Sequence, residues 1–180
     1  CAGTSHESPE VRQGAVEHLA ANPQPSHVAL LLPLIQDPNV KITQSAVRAL
    51  GANDAFRDAS PLLPLLSAND KLVRLEAATV LARRGHEQGP LALERLAYDL
   101  DPKVSRSAVS AIGTLGDPVF VSTLIGVLHR GEGVSQMALE SLPKLVPSGP
   151  LSSDDRQTLS SDEQIARWRT WWERQAVRGQ

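Results

Sequence analysis

Few groups in this 180-residue chain have the types and spacing to do chemistry. His6-Glu7 and His86-Glu87 set an imidazole beside a carboxylate, a combination that can ligate a metal. Asp154-Asp155 and Asp162-Glu163 are adjacent acids of the sort that divide general acid and base work. Cys1 is the sole thiol. Each has a plainer use. His6 stands in an N-terminal leader and His86 at the start of a helix, while His18, His27 and His129 are isolated and read as surface or capping residues. Acids at a helix start complement the partial positive charge there. A nucleophilic triad needs Ser, His and Asp brought together, and nothing singles out one triple among the many serines. There is no glycine-rich phosphate loop. These residues point away from an enzyme, and neither a metal nor another cofactor is expected.

Composition narrows the classes further. With 41% hydrophobic residues over 180 positions the chain can bury a core, and one domain is expected. The balance of 18 basic against 20 acidic residues gives a net charge of −2, so a nucleic-acid partner is not expected. The longest apolar run, "VALLLPLI" from Val28 to Ile35, falls short of the roughly 20 residues that span a bilayer and contains a proline. A single cysteine offers no disulfide within the chain.

The elements that would have to position any site form a repeat. "VRQGAVEHL" from Val11, "ITQSAVRAL" from Ile42, "VRLEAATVL" from Val73, "VSRSAVSAI" from Val104 and "VSQMALESL" from Val134 start 31, 31, 31 and 30 residues apart. Each has a branched apolar residue at offset 0, Ala at offset 4 (Ala15, Ala46, Ala77, Ala108, Ala138), an apolar residue at offset 5, and Leu or Ile at offset 8 (Leu19, Leu50, Leu81, Ile112, Leu142). Those offsets form one stripe of a 3.6-period helix. A small residue kept inside the stripe implies a second helix crossing closely at that height. The segments between, "HVALLLPLIQD", "ASPLLPLLSAND", "GPLALERLAYDLD" and "PVFVSTLIGVLHR", supply it, with Leu34, Leu65, Leu96 and Val127 spaced by 31. Turn residues at Ser8, Asp37, Asn69, Asp101 and Asp117 mark helix starts, and Gly51, Gly85, Gly113 and Gly116 fall where helices should stop. In "DPNVKI" the Asp-Pro comes about two residues early relative to Ile42, so either that helix starts early or its turn is longer.

Asp-Pro, a branched apolar residue, Ala-Val or Ala-Ala and then Leu-Gly form a pattern over roughly residues 8–146. It resembles HEAT repeats, particularly the short bacterial HEAT-like units of about 30 residues also found in phycobilin lyases. The resemblance implies an all-α fold, an α-solenoid of about 4.5 helical-hairpin repeats closed by atypical ends. It says little about activity, because the matching positions are core and turn positions. Deoxyhypusine hydroxylase is a HEAT-like enzyme that binds iron through His-Glu pairs just after the offset-0 residue. Those slots hold Gln13-Gly14, Gln44-Ser45, Leu75-Glu76, Arg106-Ser107 and Gln136-Met137 here, so the ligands of a metal hydroxylase are absent.

The expected layout is a tether over 1–7, the solenoid over 8–146, a linker over 147–159 and a capping helix over 160–178. All three tryptophans lie in that last helix, where Ile165, Trp168, Trp171, Trp172 and Ala176 share an arc. Ser160 with Glu163, or Ser161 with Gln164, would make a capping box at its start. The stripe seals the last repeat, or one member, Trp171, stays exposed with Arg167, Arg169 or Arg174 as an anchor for a partner. The resemblance also implies that the second helices line a concave side, with offsets 2 and 6 facing outward: Gln13 and Glu17, Gln44 and Arg48, Leu75 and Thr79, Arg106 and Ser110, Gln136 and Glu140. Arg48 and Arg106, joined by Arg74, would give that ladder a cationic middle suited to an acidic peptide or loop.

Cys1 admits three accounts: a chain shortened at that residue, an intermolecular disulfide, or the lipid-carrying first residue of a bacterial lipoprotein. "CAGTS" resembles a mature lipoprotein start, and Ala2 resembles members sorted to the outer membrane. Acyl chains on Cys1 would anchor the protein, with residues 2–7 as a tether of at most about 20 Å. The function expected is a non-catalytic scaffold or accessory subunit, docking on protein partners of an envelope complex and facing the periplasm. A lyase-like or maturation factor holding a chromophore or client protein is the alternative. If the tryptophan stripe seals the repeats, Trp168→Ala lowers the thermal midpoint by several degrees, and an unchanged midpoint would show that the stripe is not core.

Overall fold

The computed structural model describes residues 2–178, so Cys1 lies outside the described residues. Every regular element among them is helical, as expected for an α-solenoid. The chain divides into two compact units, residues 1–93 and 94–180.

In the first unit the second helices of the repeats are α1 (Pro9–Ala21), α3 (Val40–Ala52) and α4 (Lys71–Arg83). Their N-caps are Ser8, Asn39 and Asp70, and each side chain accepts a backbone N–H of the first turn. The offset-0 residues Val11, Ile42 and Val73 therefore all stand at the third helical position. This settles the "DPNVKI" irregularity, because the turn is longer there and Asn39 rather than Asp37 is the cap. Asp37 instead accepts the N–H of Asn39 at 2.8 Å and keeps its second oxygen for another partner.

The first helices are shorter than the sequence pattern implies. α2 (His27–Leu31) passes into a 3-10 helix over Leu32–Gln36, and Ser60–Ser67 is 3-10 throughout. Pro33 and Pro64 are the reason, since each falls past the first turn, removes a donor and crowds the preceding turn of an α-helix, whereas Pro61 stands in a first turn that needs no donor. Their leucines still reach the core: Leu31, Leu34 and Leu62 are buried against Ile42, Ala46, Val47, Leu50, Ala77 and Leu81.

Two glycines are needed for close approach. Gly51 lies inside α3, buried, and an added Cβ would meet Cγ2 of Val80 on α4 at 2.4 Å. Gly89, near the start of α5 (Gln88–Ala97), leaves even less room, with the backbone N of Ala82 only 2.2 Å from its would-be Cβ. Residues 2–7 are not an extended tether either. Ala2–Ser5 form a 3-10 turn against α1, where a Cβ on Gly3 would lie 3.1 Å from that of Ala15. Nη1 of Arg12 then bonds the carbonyls of His6 and Glu7, each at 2.8 Å.

In the second unit α6 (Pro102–Leu115) packs on α8 (Glu132–Leu145), with α7 (Val121–Val127) beside α8. The N-caps Asp101 and Gly131 hold the same register, placing Val104 and Val134 at the third position. α6 ends at Gly116, whose φ of 67° closes a left-handed cap. Gly113, expected as a stop, is instead a buried contact inside α6: an added Cβ would meet Oγ of Ser141 at 2.2 Å.

Residues 147–159, expected as a linker, are folded and pack on the last helix. They contain α9 (Ser153–Thr158), with its own capping box between Ser152 and Asp155, and a buried Leu151. That last helix, α10 (Ser161–Arg178), is capped by Ser160, whose N–H and hydroxyl both bond Oε2 of Glu163, at 2.9 and 2.7 Å. The first of the two candidate boxes is the one formed. Trp168 is 1% exposed and its ring lies on the backbone of Gly149, where a Cβ would come 2.3 Å from Cη2.

The glycines give a contrast that denaturation can read. Gly14, exposed within α1 with nothing within 4 Å of an added Cβ, should gain about 0.5–1 kcal/mol on Gly14→Ala. Gly89→Ala, meeting backbone, should lose about 1–3 kcal/mol. Equal effects at the two positions would contradict the helix contact assigned to Gly89.

Candidate protein-interaction surfaces

The outer face of the second helices in the first unit is an organised polar surface. Nε2 of Gln44 donates to Oδ1 of Asp70 at 3.1 Å, and that oxygen also accepts the N–H groups of Leu72 and Val73. Gln13 reaches across in the same way to Oγ of Ser45 at 3.3 Å. Arg48 pairs with Glu76 of the next second helix while its side chain stays 68% exposed. The guanidinium charge on this face is thus matched by a carboxylate. Arg74 is turned to the backbone, with Nη1 on the carbonyls of Ala68 and Asn69. Leu75, expected to point outward, is buried at 8% exposure. Of the cationic middle expected of Arg48 and Arg106, joined by Arg74, the first unit holds Arg48, paired with a carboxylate, and Arg74, whose charge is held over backbone carbonyls.

Offset 1, which the sequence pattern does not mark, carries a recurrent tie. Thr43 Oγ1 donates to the carbonyl of Asp37 at 3.0 Å, Ser105 Oγ to Ala97 at 2.5 Å and Ser135 Oγ to Leu128 at 2.7 Å. Arg12 and Arg74 occupy the same offset and do the same work with longer arms. The residue type changes from repeat to repeat while the bond stays, so no single-letter signal was available. Only the donor capacity common to Arg, Thr and Ser was there to be found.

Arg12 also makes a bidentate, mostly buried ion pair in the first unit. Its Nε and Nη2 grip both oxygens of Asp37 at 2.7 and 3.0 Å, with side-chain exposures of 11% and 3%. The guanidinium hydrogen bonds, aided by the N–H of Asn39, hold the Asp37 carboxyl below its ordinary pKa.

In the second unit Arg106 is exposed over Gly133, near the start of α8. Arg167 and Trp171 share a groove on α10 of about 490 Å³, lined by Pro150, Ala166, Arg167, Thr170, Trp171 and Arg174. Trp171 is half-buried, edge-on to Trp168 at 5.6 Å and 83°. Nη1 of Arg167 bonds Oδ1 of Asp155 at 2.7 Å. The arc expected on α10 therefore divides, with Trp168 sealing the interior and Trp171 walling a groove.

HEAT repeats, as a family, match residues 1–64 and 59–143 of this sequence. The chain is a HEAT-repeat protein. A curated relative, the uncharacterized phycocyanin operon protein Z of Pseudanabaena tenuis, is 29% identical over an alignment of 136 residues that covers 71% of this chain and 66% of that protein. The matched region thus spans just under two thirds of the relative. The crystal structure of an engineered protein superposes with a TM-score of 0.61 at 18% identity, covering 93% of this chain and 92% of that one, a likeness of fold.

The chemistry-bearing residues of this HEAT-repeat protein are used locally. Nδ1 of His6 accepts the N–H of Ser8 at 3.0 Å, and Nδ1 of His86 that of Gln88 at 3.3 Å. Asp155 and Glu163 cap α9 and α10, and those bonds with Ser152 and Ser160 lower both pKa values. Among the described residues no group of three or more His, Cys, Asp or Glu is placed to hold a metal ion. No helix there is long and apolar enough to cross a membrane.

The Arg12–Asp37 link makes a signed prediction. Because the folded pKa of Asp37 lies below its ordinary value of 3.8, its stabilisation is present above about pH 4 and disappears as pH falls through the lower folded value. Asp37→Asn should lower the thermal midpoint at pH 7 and narrow its gap from the parent below about pH 3. A gap that stays constant from about pH 7 to about pH 2 would contradict the pairing.

Proposed function

We propose that this HEAT-repeat protein is a non-catalytic scaffold or accessory subunit that holds a protein partner in a larger assembly. The observation that carries the reading is the division of labour along each repeat. The positions the repeats have in common serve core and turns, while the outer positions, Gln44 and Arg48 among them, form a fixed polar face. A preorganised surface of this kind lowers the ordering cost of association. The proposed address is the bacterial envelope, through lipid on Cys1, with the chain facing the periplasm from the outer membrane. The contacts of residues 2–7 would then set the first helix directly at the membrane surface rather than at the end of a tether.

The relative named for a phycocyanin operon favours a second reading, a lyase-like or maturation factor that holds a chromophore or a chromoprotein client. Cross-linking of the protein in its native membrane, with the absorption spectrum and the mass of the N-terminal peptide, separates these. The scaffold reading predicts a colourless protein cross-linked to a partner, with a diacyl or triacyl increment on Cys1. A visible absorption band would support the second reading. A protein that cross-links to nothing would sink the first, and an unmodified Cys1 would remove the lipid anchor.

A further inference from the structure

We propose that the groove on α10 binds an acidic peptide segment of the partner, with Arg167 and Arg174 flanking its carboxylates and Trp171 packing an adjoining apolar side chain. The inference rests on the scaffold reading and names the partner chemistry for one surface. Arg167, Trp171 and Arg174 follow one another at steps of four and three, so the two guanidinium groups bracket the indole along one helix face. Ala166 and Thr170 floor the stripe with small side chains, and Pro150 forms a wall outside the helix.

The aromatic is preset. Trp168 is locked in the interior, and its edge contact fixes the plane of Trp171 before any ligand arrives. The charge is preset too. Residues 166–174 hold three arginines, Arg167, Arg169 and Arg174, against Glu173, and even with Asp155 paired to Arg167 the balance is one positive charge, while the chain as a whole carries −2. Arg167 is positioned by Asp155 through Nη1, which leaves its other N–H groups free to turn to a ligand. Arg174 is exposed and has no ion-pair partner among the described residues. A held guanidinium and one unpaired among the described residues, on either side of a half-buried indole in a concavity, suit carboxylates on a chain with an apolar neighbour. An anionic bilayer would instead need a broad exposed apolar face, and α10 turns Trp168 inward and half-buries Trp171 and Trp172.

The test uses the full chain and a fluorescently labelled peptide of alternating Glu and Leu, with a Lys-Leu peptide and phosphatidylserine vesicles as competitors for the same role. Anisotropy should show binding of the Glu-Leu peptide that weakens with salt and falls about tenfold or more on Arg174→Glu. Arg95→Glu, a reversal at an exposed site on α5, should leave it unchanged. Trp171→Ala should weaken binding as well, and the exposed Arg174 variant keeps the outcome readable if that protein is less stable. Equal binding of the Lys-Leu peptide, indifference to Arg174→Glu, or vesicle binding without peptide binding would each overturn the assignment. Partner cross-links that avoid α10 would likewise remove it while leaving the scaffold reading standing, whereas the absence of any partner cross-link would remove both.

Discussion

The packing within each unit depends on how closely its neighbouring second helices approach one another. Ala46, Ala77, Ala108 and Ala138 are fully buried in the helix stripe, where each fills no more space than a methyl group. Gly51 against Val80 and Gly113 against Ser141 repeat the same relation, offset 9 of one repeat on offset 7 of the next, once in each unit. Small residues at a crossing set the interaxial distance, and that distance decides which outer side chains can touch. Gln44 reaches Asp70 and Arg48 reaches Glu76 because the helices beneath them are near. The polar surface is in this sense a product of the core.

A second layer of polar ties keeps the register. Offset-1 donors close each turn, and Arg84 and Arg130 each bond a carbonyl 31 residues back, at Asn53 and Asp99. The period of the sequence is thus written twice, in apolar packing and in bonds to backbone carbonyls. Buried backbone acceptors left without partners would weaken the turns, which explains why the offset-1 donor persists while its residue type changes.

Much of this was legible in the sequence. Ala, Leu and most of the turn residues report local requirements that a one-dimensional period captures, so the second helices were readable and the cap of α10 was narrowed to two boxes, Ser160–Glu163 and Ser161–Gln164. The rest depends on neighbours that the period cannot see. Leu-Gly reads as a helix stop by local rules, yet Gly51 and Gly113 answer to Val80 and Ser141 on another helix. Arg74 reads as a surface cation until the carbonyls of Ala68 and Asn69 are found beneath it. Pro64 of "SPLLPLLS" was visible, but its tightening of a first helix into 3-10 form outweighed the leucine spacing. On α10 the arc of tryptophans was clear, while the division between Trp168 and Trp171 was set by Gly149 and Pro150 in a segment that reads as a linker.

The most direct test of the helix-approach claim is equilibrium denaturation of Gly51→Ala and Gly113→Ala, one substitution in each unit. Alanine is the better helix former by about 0.5–1 kcal/mol, so loosely spaced helices would gain stability from it. The close approach described here predicts a loss of about 1–3 kcal/mol for each variant. Variants as stable as the parent would show that the small residues do not set the distance between the helices.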